Sequence, residues 1–516
     1  MIKISEKILI VDYGSQYTQL IARKIREQKV YCVVYPYNKI NSIISKDDSF
    51  VGMILSGGPN SVNDKNSPKL NKKIINKNVP ILGICYGLQL ICKEFMGEVG
   101  QSNTREYGHT IIKLKSKSLL FDGVLKTNKV WMSHGDYIKK APKNFSLTSI
   151  STNNIISSIE NKNKNIFGLQ FHPEVYHTTN GKKILSNFLK KICKIKTKFK
   201  LENYLSNKII DLRKQLKNKR IVCGLSGGVD STVTSYLLQK AIGNNLFCVF
   251  VDHGLLRLNE SDEIEKIFKK KFGKNFIKVN AKNIFIKRLK NIIDPEKKRK
   301  IIGKTFIDVF EKESKKINKV EYLAQGTLYP DIIESIPFFG GPTAKIKSHH
   351  NVGGLPKKMN LKIVEPLKDL FKDEVRELGK KLKINNYLLN RHPFPGPGLA
   401  IRIPGEINIK KIKILQQVDS IFINYLKQNK IYNNIWQAFA VLLPVKSVGV
   451  MGDERTYTFA VSLRAVTSVD GMTADFYMFE KKDLTEISNR IISRVKEVNR
   501  VLYDFTSKPP GTIEWE

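Results

Sequence analysis

Residues 221–240, IVCGLSGGVDSTVTSYLLQK, decide the fold of the middle of this chain. The apolar run from Ile221 to Leu225 predicts a buried strand, and the segment from Thr232 to Lys240 is compatible with a helix. Between them, Ser226-Gly227-Gly228-Val229-Asp230-Ser231 predicts a tight strand–loop–helix turn. Glycines let the backbone approach a ligand closely, and the first N–H groups of a helix are free to bind an anion. The stretch therefore predicts a phosphate site in an α/β domain.

The hydroxyl groups of this turn narrow the kind of phosphate site. Ser226, Ser231 and Thr232 can each donate to a phosphate oxygen. The turn lacks the Gly-Lys-Ser/Thr ending of the loop that holds the phosphates beside a transferred terminal phosphoryl group. It resembles instead the pyrophosphate loop of the ATP pyrophosphatases, which split ATP between its α- and β-phosphates and leave AMP on a substrate. The resemblance implies that the pyrophosphate part of ATP is bound by Ser226, Gly227, Gly228, Val229, Asp230, Ser231 and Thr232.

Length and composition indicate a globular protein of several domains. The chain has 516 residues, of which 41% are hydrophobic and 26% charged. No run approaches the roughly 18 apolar residues of a membrane span, and the first residues lack the apolar core of a secretion signal. Six scattered cysteines form no CxxC pair and no metal-binding spacing. We therefore expect a cytoplasmic protein in a reducing compartment.

The formal net charge of +41 could indicate a protein that binds nucleic acid, because patches of lysine and arginine neutralise phosphates. The excess is mostly lysine, however, and it is spread through most of the chain. Residues 451–516 are the exception and carry more acidic than basic side chains. No arginine-rich arm or basic stripe interleaved with aromatic residues is present. We therefore expect neither a specific nucleic-acid partner nor a membrane partner.

Two blocks of alternating strand and helix patterns predict parallel sheets covered by helices. The first runs from Ile8 to about Phe188 and is followed by a lysine-rich stretch, 189–220, that predicts a linker or an interdomain helix. In the second block, Leu246–Asp252 predicts the next buried strand after Leu225, ending in a carboxylate. A cluster of proline and glycine at 393–398 predicts a domain boundary. The residues after this cluster predict a mixture of helices and strands.

Gly83-Ile84-Cys85-Tyr86-Gly87 has the form of a nucleophile elbow, in which small flanking residues permit a sharp strand-to-helix turn. The turn exposes the thiol of Cys85 and places the next N–H, that of Tyr86, in an oxyanion hole. Phe171-His172-Pro173-Glu174 supplies a base for the thiol, and an acid that lies on the same face of an extended segment. Ser56-Gly57-Gly58-Pro59 offers further backbone N–H groups near the same sheet edge.

These motifs together resemble the class I glutamine amidotransferases, which hydrolyse glutamine through a cysteinyl thioester and release ammonia. The resemblance implies that Cys85 is the nucleophile, His172 the general base and Glu174 the group that orients it. It also implies that Gly57, Gly58 and the N–H of Tyr86 lie near the oxyanion. The segment 131–136 matches a part of the family that lines the glutamine site, although His134 is also open to a purely structural interpretation.

The end of the sequence, Ser507–Glu516, resembles the signature ending of the glutamine-hydrolysing GMP synthase family. The resemblance extends through 325–331, 348–354 and 391–398, so that it covers the whole chain. It implies that xanthosine 5′-monophosphate (XMP), ATP and glutamine become GMP, AMP, pyrophosphate and glutamate. ATP adenylates O2 of the xanthine ring, and ammonia then attacks C2.

The same resemblance assigns further residues of the nucleotide sites. Asp230 would hold Mg²⁺ against the pyrophosphate, because this cation takes a carboxylate together with phosphate oxygens. Lys372 matches a lysine that neutralises the developing pyrophosphate charge, although a solvated helix face is the alternative. The XMP-binding positions are Arg299, Asp453, Lys508 and Glu514.

The resemblance also implies the architecture. We expect a class I amidotransferase domain over 1–198 and an ATP pyrophosphatase domain of the adenine-nucleotide-hydrolase type over 199–391. Both would be parallel-sheet α/β domains, followed by a smaller α+β domain, 392–516, that makes a homodimer and completes the nucleotide site. Two alternatives stay open: a tRNA-thiolating enzyme, and a basic RNA-binding protein on a degenerate amidotransferase scaffold. The first requires thiol relays that Cys223 and Cys248 do not offer by spacing, and the second requires lost catalytic residues.

Overall fold

The structure is a computed structural model that describes residues 6–331, 361–451, 454–468 and 473–516. These residues form two compact units. The first contains the described residues up to Lys208 together with 329–331, and the second contains 209–328 and the described residues from 361 onward. In the described part of the chain, no helix is long and apolar enough to cross a membrane. The 348–354 motif and Asp453 lie outside the described residues.

The first unit is built around one mixed sheet. Its helices are α1 (Thr18–Glu27), α2 (Ile40–Ile44), α3 (Lys72–Asn76), α4 (Tyr86–Glu94), α5 (Gly181–Asn187) and the start of α6 (Leu201–Gln215). Its strands are β1 (Lys7–Asp12), β2 (Cys32–Pro36), β3 (Phe50–Leu55), β4 (Ile81–Ile84), β5 (Glu98–Leu114), β6 (Thr127–Lys140), β7 (Ser146–Ser151), β8 (Ile156–Asn161) and β9 (Ile166–Leu169). Within the residues described, the spatial order is β2-β1-β3-β4-β9-β8-β6-β5-β7.

Only part of this sheet has the predicted parallel arrangement. Strands β2, β1, β3, β4 and β9 are parallel, and most of the steps between them pass through helices. Strands β5 to β8 are antiparallel, with Glu106 opposite His134 and Ile112 opposite Asn128. The chain between residues 98 and 161 contains only short connections and so returns directly beside itself, which antiparallel pairing permits and parallel pairing does not.

The second unit begins with a wholly parallel sheet of the order β12-β11-β10-β13-β14. Its strands are β10 (Arg220–Leu225), β11 (Leu246–Asp252), β12 (Phe276–Asn280), β13 (Val320–Ala324) and β14 (Lys362–Val364). Its helices are α7 (Val229–Ile242), α8 (Glu260–Phe272), α9 (Lys282–Leu289), α10 (Pro295–Ser314), α11 (Lys372–Lys381) and α12 (Asn386–Leu389). The strand predicted over Leu246–Asp252 and the helix predicted after Ser231 are thereby confirmed.

The remaining part of this unit packs a small sheet against helices. It contains α13 (Ile409–Gln428), β15 (Gln437–Met451), β16 (Glu454–Thr467), β17 (Asp475–Phe476), α14 (Lys481–Arg494) and β18 (Val498–Tyr503). One face of the sheet joins α13 in a core that continues to Val222 and Val249 of the parallel sheet. The other face holds Phe439, Val441 and Ile513. The division of the chain at 198/199 and 391/392 remains a prediction.

Candidate active sites

Cys85 occupies a sharp turn between β4 and α4. Its backbone has a positive φ of 50° with ψ −106°, a conformation that residues with a side chain rarely adopt. The flanking glycines make the turn possible. A Cβ atom on Gly87 would lie 2.4 Å from the carbonyl oxygen of Leu55, and one on Gly83 would lie 2.6 Å from Ile91. The predicted elbow geometry is therefore enforced by close packing on both sides of Cys85.

The thiol of Cys85 lies in a buried polar setting. Its Sγ is 3.8 Å from the carbonyl oxygen of Ser133 on β6 and 3.8 Å from Nε2 of Gln170. The backbone N–H of Cys85 donates to the carbonyl oxygen of Leu169 at 2.7 Å, which ties the turn to the end of β9. Sequence reasoning did not single out Gln170, because an isolated glutamine after a strand has no distinctive pattern.

His172 and Glu174 follow β9 and form a buried pair beside this thiol. Nδ1 of His172 lies 2.7 Å from Oε1 of Glu174, and the two residues are only 2% and 1% exposed. Burial pushes the pKa of His172 down, but the Glu174 carboxylate and the contact with Cys85 outweigh it and raise that pKa well above its usual value. Because Nδ1 faces Glu174, Nε2 is the nitrogen that can exchange a proton with Cys85.

The predicted oxyanion residues lie at the same place. A Cβ atom on Gly57 would be 3.3 Å from the His172 ring, and one on Gly58 would be 3.2 Å from the ring of Tyr86 and 2.8 Å from the carbonyl oxygen of Tyr13. Tyr86 itself is held by its hydroxyl, which donates to the carbonyl oxygen of Pro68 at 2.6 Å. The structure thus brings the 56–59 loop, the elbow and His172 together.

His134 pairs with a carboxylate that the sequence did not identify as its partner. It stands opposite Glu106 in the β5–β6 pair, with its Nε2 3.2 Å from the Glu106 carboxylate and both side chains almost wholly buried. Oε1 of Glu106 also accepts from Ser151 and Asn153. Only the strand register identifies Glu106 as this partner, since the two residues are far apart in sequence. The arrangement agrees with the structural interpretation of His134.

The Ser226–Ser231 turn connects β10 to α7 as predicted, and glycine is sterically required at position 227. Gly227 has a φ of +74°, and a Cβ atom there would lie 2.4 Å from Ile264. The N–H of Gly228 donates to Oγ of Ser226 at 3.2 Å, and the hydroxyls of Ser226 and Ser231 lie 3.1 Å apart. These groups line the open side of the turn.

Thr232 is arranged differently from the two serines. It is fully buried, and its hydroxyl donates to the carbonyl oxygen of Gly228 at 2.7 Å. The carbonyl oxygen of Gly227 accepts from Nη1 of Arg391 at 2.8 Å, and Arg391 is itself paired with Glu260. Val229 is buried at the first position of α7. Thr232, Val229 and Arg391 therefore hold the shape of the turn.

Asp230 and Lys372 meet at the edge of this turn. Nζ of Lys372, the first residue of α11, lies 2.5 Å from Oδ2 of Asp230, although the two residues are separated by 142 positions. Oδ1 of Asp230 is buried and has no hydrogen-bond partner in the described part of the chain. Gly326 packs against the same residue, because its Cβ position is 3.1 Å from the Asp230 carbonyl carbon.

Three of the four residues predicted to bind XMP are described. Glu514 accepts from Nε and Nη2 of Arg402 at 3.0 and 2.9 Å and from Nε2 of Gln437 at 2.6 Å. Arg299 on α10 donates to the carbonyl oxygen of Glu516. Lys508 pairs through its backbone with Ala474, the two N–H···O distances being 2.7 and 3.1 Å. Asp453 lies outside the described residues.

The fold and these sites define a glutamine amidotransferase joined to a domain of the ATP pyrophosphatase type. Residues 9–192 match the family of class-I glutamine amidotransferases. Residues 200–305 match the NAD synthase family, and residues 424–515 match the GMP synthase C terminal domain.

Full-length relatives identify the family more narrowly. The chain is 51% identical over 514 residues to GMP synthase (glutamine-hydrolyzing) of Bradyrhizobium diazoefficiens, covering 99% of this chain and 93% of the relative. Its identity to the enzymes of the same name from Petrotoga mobilis and Cytophaga hutchinsonii is 52%, with 99% of this chain and 100% of each relative covered. The chain therefore belongs to the family of glutamine-hydrolysing GMP synthases.

Proposed function

We propose that the two sites carry out the two halves of glutamine-dependent GMP synthesis, the reaction of the family to which this chain belongs. The substrates are XMP, ATP and glutamine, and the products are GMP, AMP, pyrophosphate and glutamate. The observation that supports this assignment most is the presence, on one chain, of the Cys85 elbow with its buried His172–Glu174 pair and of the 226–232 turn on a parallel sheet.

In the glutaminase half, Sγ of Cys85 attacks the carboxamide carbon of glutamine. His172 takes the thiol proton and delivers it to the departing ammonia. The negative oxygen of the tetrahedral intermediate is stabilised by N–H groups from the 57–58 loop and from Tyr86. Water, deprotonated by His172, then hydrolyses the thioester to glutamate. Glu174 keeps Nδ1 of His172 protonated throughout, so that Nε2 carries the exchanged proton.

In the adenylation half, O2 of XMP attacks the α-phosphorus of ATP and pyrophosphate leaves. The pyrophosphate would lie on the 226–232 turn, where the helix N-terminus and the hydroxyls of Ser226 and Ser231 favour negative charge. Lys372 would exchange its contact with Asp230 for one with the leaving group. Ammonia then displaces AMP from C2 of the ring.

Asp230 is suited to hold Mg²⁺ on the ATP phosphates. Mg²⁺ is usually bound by one or two carboxylates together with substrate phosphates, and Oδ1 of Asp230 is a buried oxygen without a partner in the described residues. When bound, Mg²⁺ would neutralise charge on the leaving pyrophosphate.

For XMP we propose a site at Arg299, Lys508, Glu514 and Asp453. The two cations suit the phosphate of the nucleotide. Each oxygen of Glu514 already accepts from Arg402 or Gln437, but a carboxylate has further lone pairs and can also accept from a ring N–H or a ribose hydroxyl.

We further propose a cytoplasmic homodimer formed through the β15–β16 hairpin and without a specific nucleic-acid partner. The hairpin exposes Val445, Val448, Val450 and Tyr457, which are 58%, 59%, 73% and 65% exposed. Val448 stands directly opposite Tyr457. A cluster of this kind on a protein surface is typical of an interaction site. Sedimentation of V448D/V450D should give monomers, whereas dimers of unchanged affinity would reject this interface.

An assay of AMP and GMP release, with XMP omitted or supplied, tests the function as a whole. AMP release should require XMP and should equal GMP formation, with glutamine or with ammonium salts as the nitrogen donor. A tRNA-thiolating enzyme would release AMP without XMP and form no GMP. That alternative has little structural support, since Cys223 and Cys248 are fully buried in β10 and β11 and burial raises the pKa of Cys223 to about 12.

A further inference from the structure

The last residues of the chain are held by three buried cations that the proposed mechanism does not use. We propose that Arg402 and Arg464 are positioning residues, which fix residues 504–516, the tail segment, in the conformation that binds XMP. This inference rests on the proposed function in one respect, namely that the tail segment carries the XMP-binding residues Lys508 and Glu514. It adds two residues to the reaction that do not themselves contact the nucleotide.

Arg464 on β16 is 1% exposed and holds the backbone of the tail segment at several points. Its guanidinium donates to the carbonyl oxygens of Thr506, Thr512 and Ile513 at 2.8 to 2.9 Å. Its Nη1 also lies 2.8 Å from a carboxylate oxygen of Asp504. The three carbonyl groups lie on both sides of Lys508 in the sequence. One side chain thus closes the tail segment into a loop.

Arg402 is fully buried and fixes the side chain of Glu514. Its Nε and Nη2 donate to the two oxygens of Glu514 in parallel, at 3.0 and 2.9 Å. Its guanidinium lies 4.1 Å from the ring centroid of Phe439 and 5.0 Å from that of Phe394. A guanidinium that binds both oxygens of a carboxylate in this way restricts the position and the rotation of that carboxylate.

Lys298 anchors the last residue of the segment. It is 0% exposed, and its Nζ lies 2.5 Å from the Glu516 carboxylate and 2.8 Å from the carbonyl oxygen of Ile403. The neighbouring Arg299, one of the proposed XMP-binding residues, donates to the backbone of Glu516. The tail segment is therefore fastened on α10 as well as on the small sheet.

Apolar packing and polar contacts hold the tail segment against the same face of the β15–β16 sheet. Ile513 lies in the small core formed by Phe439, Val441 and Val466. Phe439 stands opposite Arg464 in the β15–β16 register, and it also stacks on Arg402. Both arginines thus neighbour Phe439, Arg402 through the face of its ring and Arg464 through the strand register, on the side of the sheet where Ile513 of the tail segment packs.

A role in positioning explains why charged groups are buried here. Residues 504–516 form no helix or longer strand, so their carbonyl groups need donors from elsewhere. Taking a guanidinium out of water is costly, and an apolar replacement would often stabilise a fold equally well. Fixed polar contacts have a different benefit, since they hold a binding loop in one geometry before the ligand arrives.

Kinetics with ammonium salts as nitrogen donor test the inference, because that reaction bypasses Cys85. R402Q and R464Q should raise the KM for XMP about 10-fold or more, the range that corresponds to loss of a hydrogen bond to a charged group, while kcat at saturating XMP changes far less. R402K and R464K retain the charge with fewer donors and should recover part of the affinity. R490Q is the matched control, since Arg490 pairs with Glu486 on the surface of α14, and it should leave the KM unchanged.

Hydrogen exchange of residues 504–516 in the same variants provides the second readout. Faster exchange in the tail segment, reversed by saturating XMP, is expected for R402K and R464K even if the glutamine variants fail to fold. A lower melting temperature with an unchanged KM for XMP would reject the positioning role. If K508A also left the KM unchanged, the placement of the XMP site would fail instead, so the two failures can be distinguished.

Discussion

At the scale of single residues, Cys85 combines a strained backbone with a conventional environment for a nucleophile. Its positive φ is held by the tight packing of Gly83 and Gly87 and by the bond from its N–H to Leu169. Such strain tends to persist where the surrounding structure enforces it, and it is common at functional sites. His172, paired with Glu174, is the residue that we propose as the base.

Replacing Cys85 by alanine should separate the two half-reactions. We expect C85A to lower glutamine-dependent GMP synthesis at least about a thousand-fold, because no other group can form the thioester. Synthesis from ammonium salts should persist, since the 226–232 turn belongs to the other unit. C92A is the matched control, because Cys92 lies on α4, the helix that follows Cys85, and burial raises its pKa to about 12. An equal loss with both nitrogen donors would contradict this division.

Replacing Glu174 by glutamine should lower the pKa of His172. The Glu174 carboxylate offsets the effect of burial on the imidazole, so E174Q should reduce glutamine-dependent synthesis roughly a hundredfold or more. It should also slow alkylation of Cys85 by iodoacetamide near neutral pH, because less of the imidazolium is available to stabilise the thiolate. Ammonia-dependent synthesis is the internal control. Alkylation at the wild-type rate would show that Glu174 does not tune His172.

The same pair predicts how stability changes with pH. Because the folded pKa of His172 is raised, the stabilisation by its charged form is fully present below the unfolded pKa of about 6.5. It is lost as the pH rises through the folded pKa. The difference in melting temperature between wild type and E174Q should therefore be largest at acidic pH and shrink at alkaline pH. A difference that grew with pH would contradict this account.

At the scale of elements, a glycine-rich turn gains its function from the helices around it. Gly227 is pressed against Ile264 of α8, and Gly326 against Asp230. Lys372 enters from the first position of α11. The pyrophosphate site that we propose at this turn depends on these elements, because they keep its open side at the end of the parallel sheet, where phosphate ligands commonly bind.

Replacing Asp230 by alanine should stop adenylation with either nitrogen donor. We expect D230A to reduce AMP release about a hundredfold or more, as loss of a group that stabilises transition-state charge commonly does. Glutamine should still acylate Cys85 with release of ammonia, and a reactive glutamine analogue that alkylates the thiol can report that this site is intact. D262A is the control, since Asp262 is an exposed carboxylate on α8 whose side chain is 81% exposed. Ammonia-driven synthesis near the wild-type rate would place the ATP site elsewhere.

At the scale of the whole molecule, the tail segment connects the parallel sheet to the small sheet of the second unit. Lys298 and Arg299 come from α10, whereas Arg402 precedes α13 and Arg464 lies on β16. The hydrophobic core of the unit also runs through both parts. Closure of the proposed XMP site and the integrity of the second unit would therefore depend on the same contacts.

Replacing Lys508 by alanine distinguishes nucleotide binding from dimer assembly. Loss of a charge-assisted bond to the XMP phosphate should weaken binding by about 1.5–3 kcal/mol, seen as a higher half-saturating XMP concentration. The sedimentation of K508A should be unchanged. K482A serves as the control, because Lys482 is exposed on α14. A monomeric K508A with normal nucleotide affinity would indicate that Lys508 acts only in the interface.

The sequence by itself determined the features that depend on neighbouring residues. The elbow around Cys85, the 226–232 turn and the strand over Leu246–Asp252 could be predicted, because glycine spacing and apolar runs dictate local backbone conformation. The His172–Glu174 contact could also be predicted, but for a reason that the structure corrects: both residues lie in a turn after β9 rather than on a strand, so the turn and not strand alternation brings their side chains together.

Tertiary structure alone decided the contacts between distant residues. Glu106 meets His134 only through strand register, and Lys372 reaches Asp230 across 142 positions. Nothing in the sequence indicated that Arg402 and Arg464 would be buried against the tail segment, because lysines and arginines are abundant throughout this chain and most are solvated. Which few become buried depends on where packed elements leave backbone carbonyls and carboxylates without partners, and only the folded arrangement specifies that.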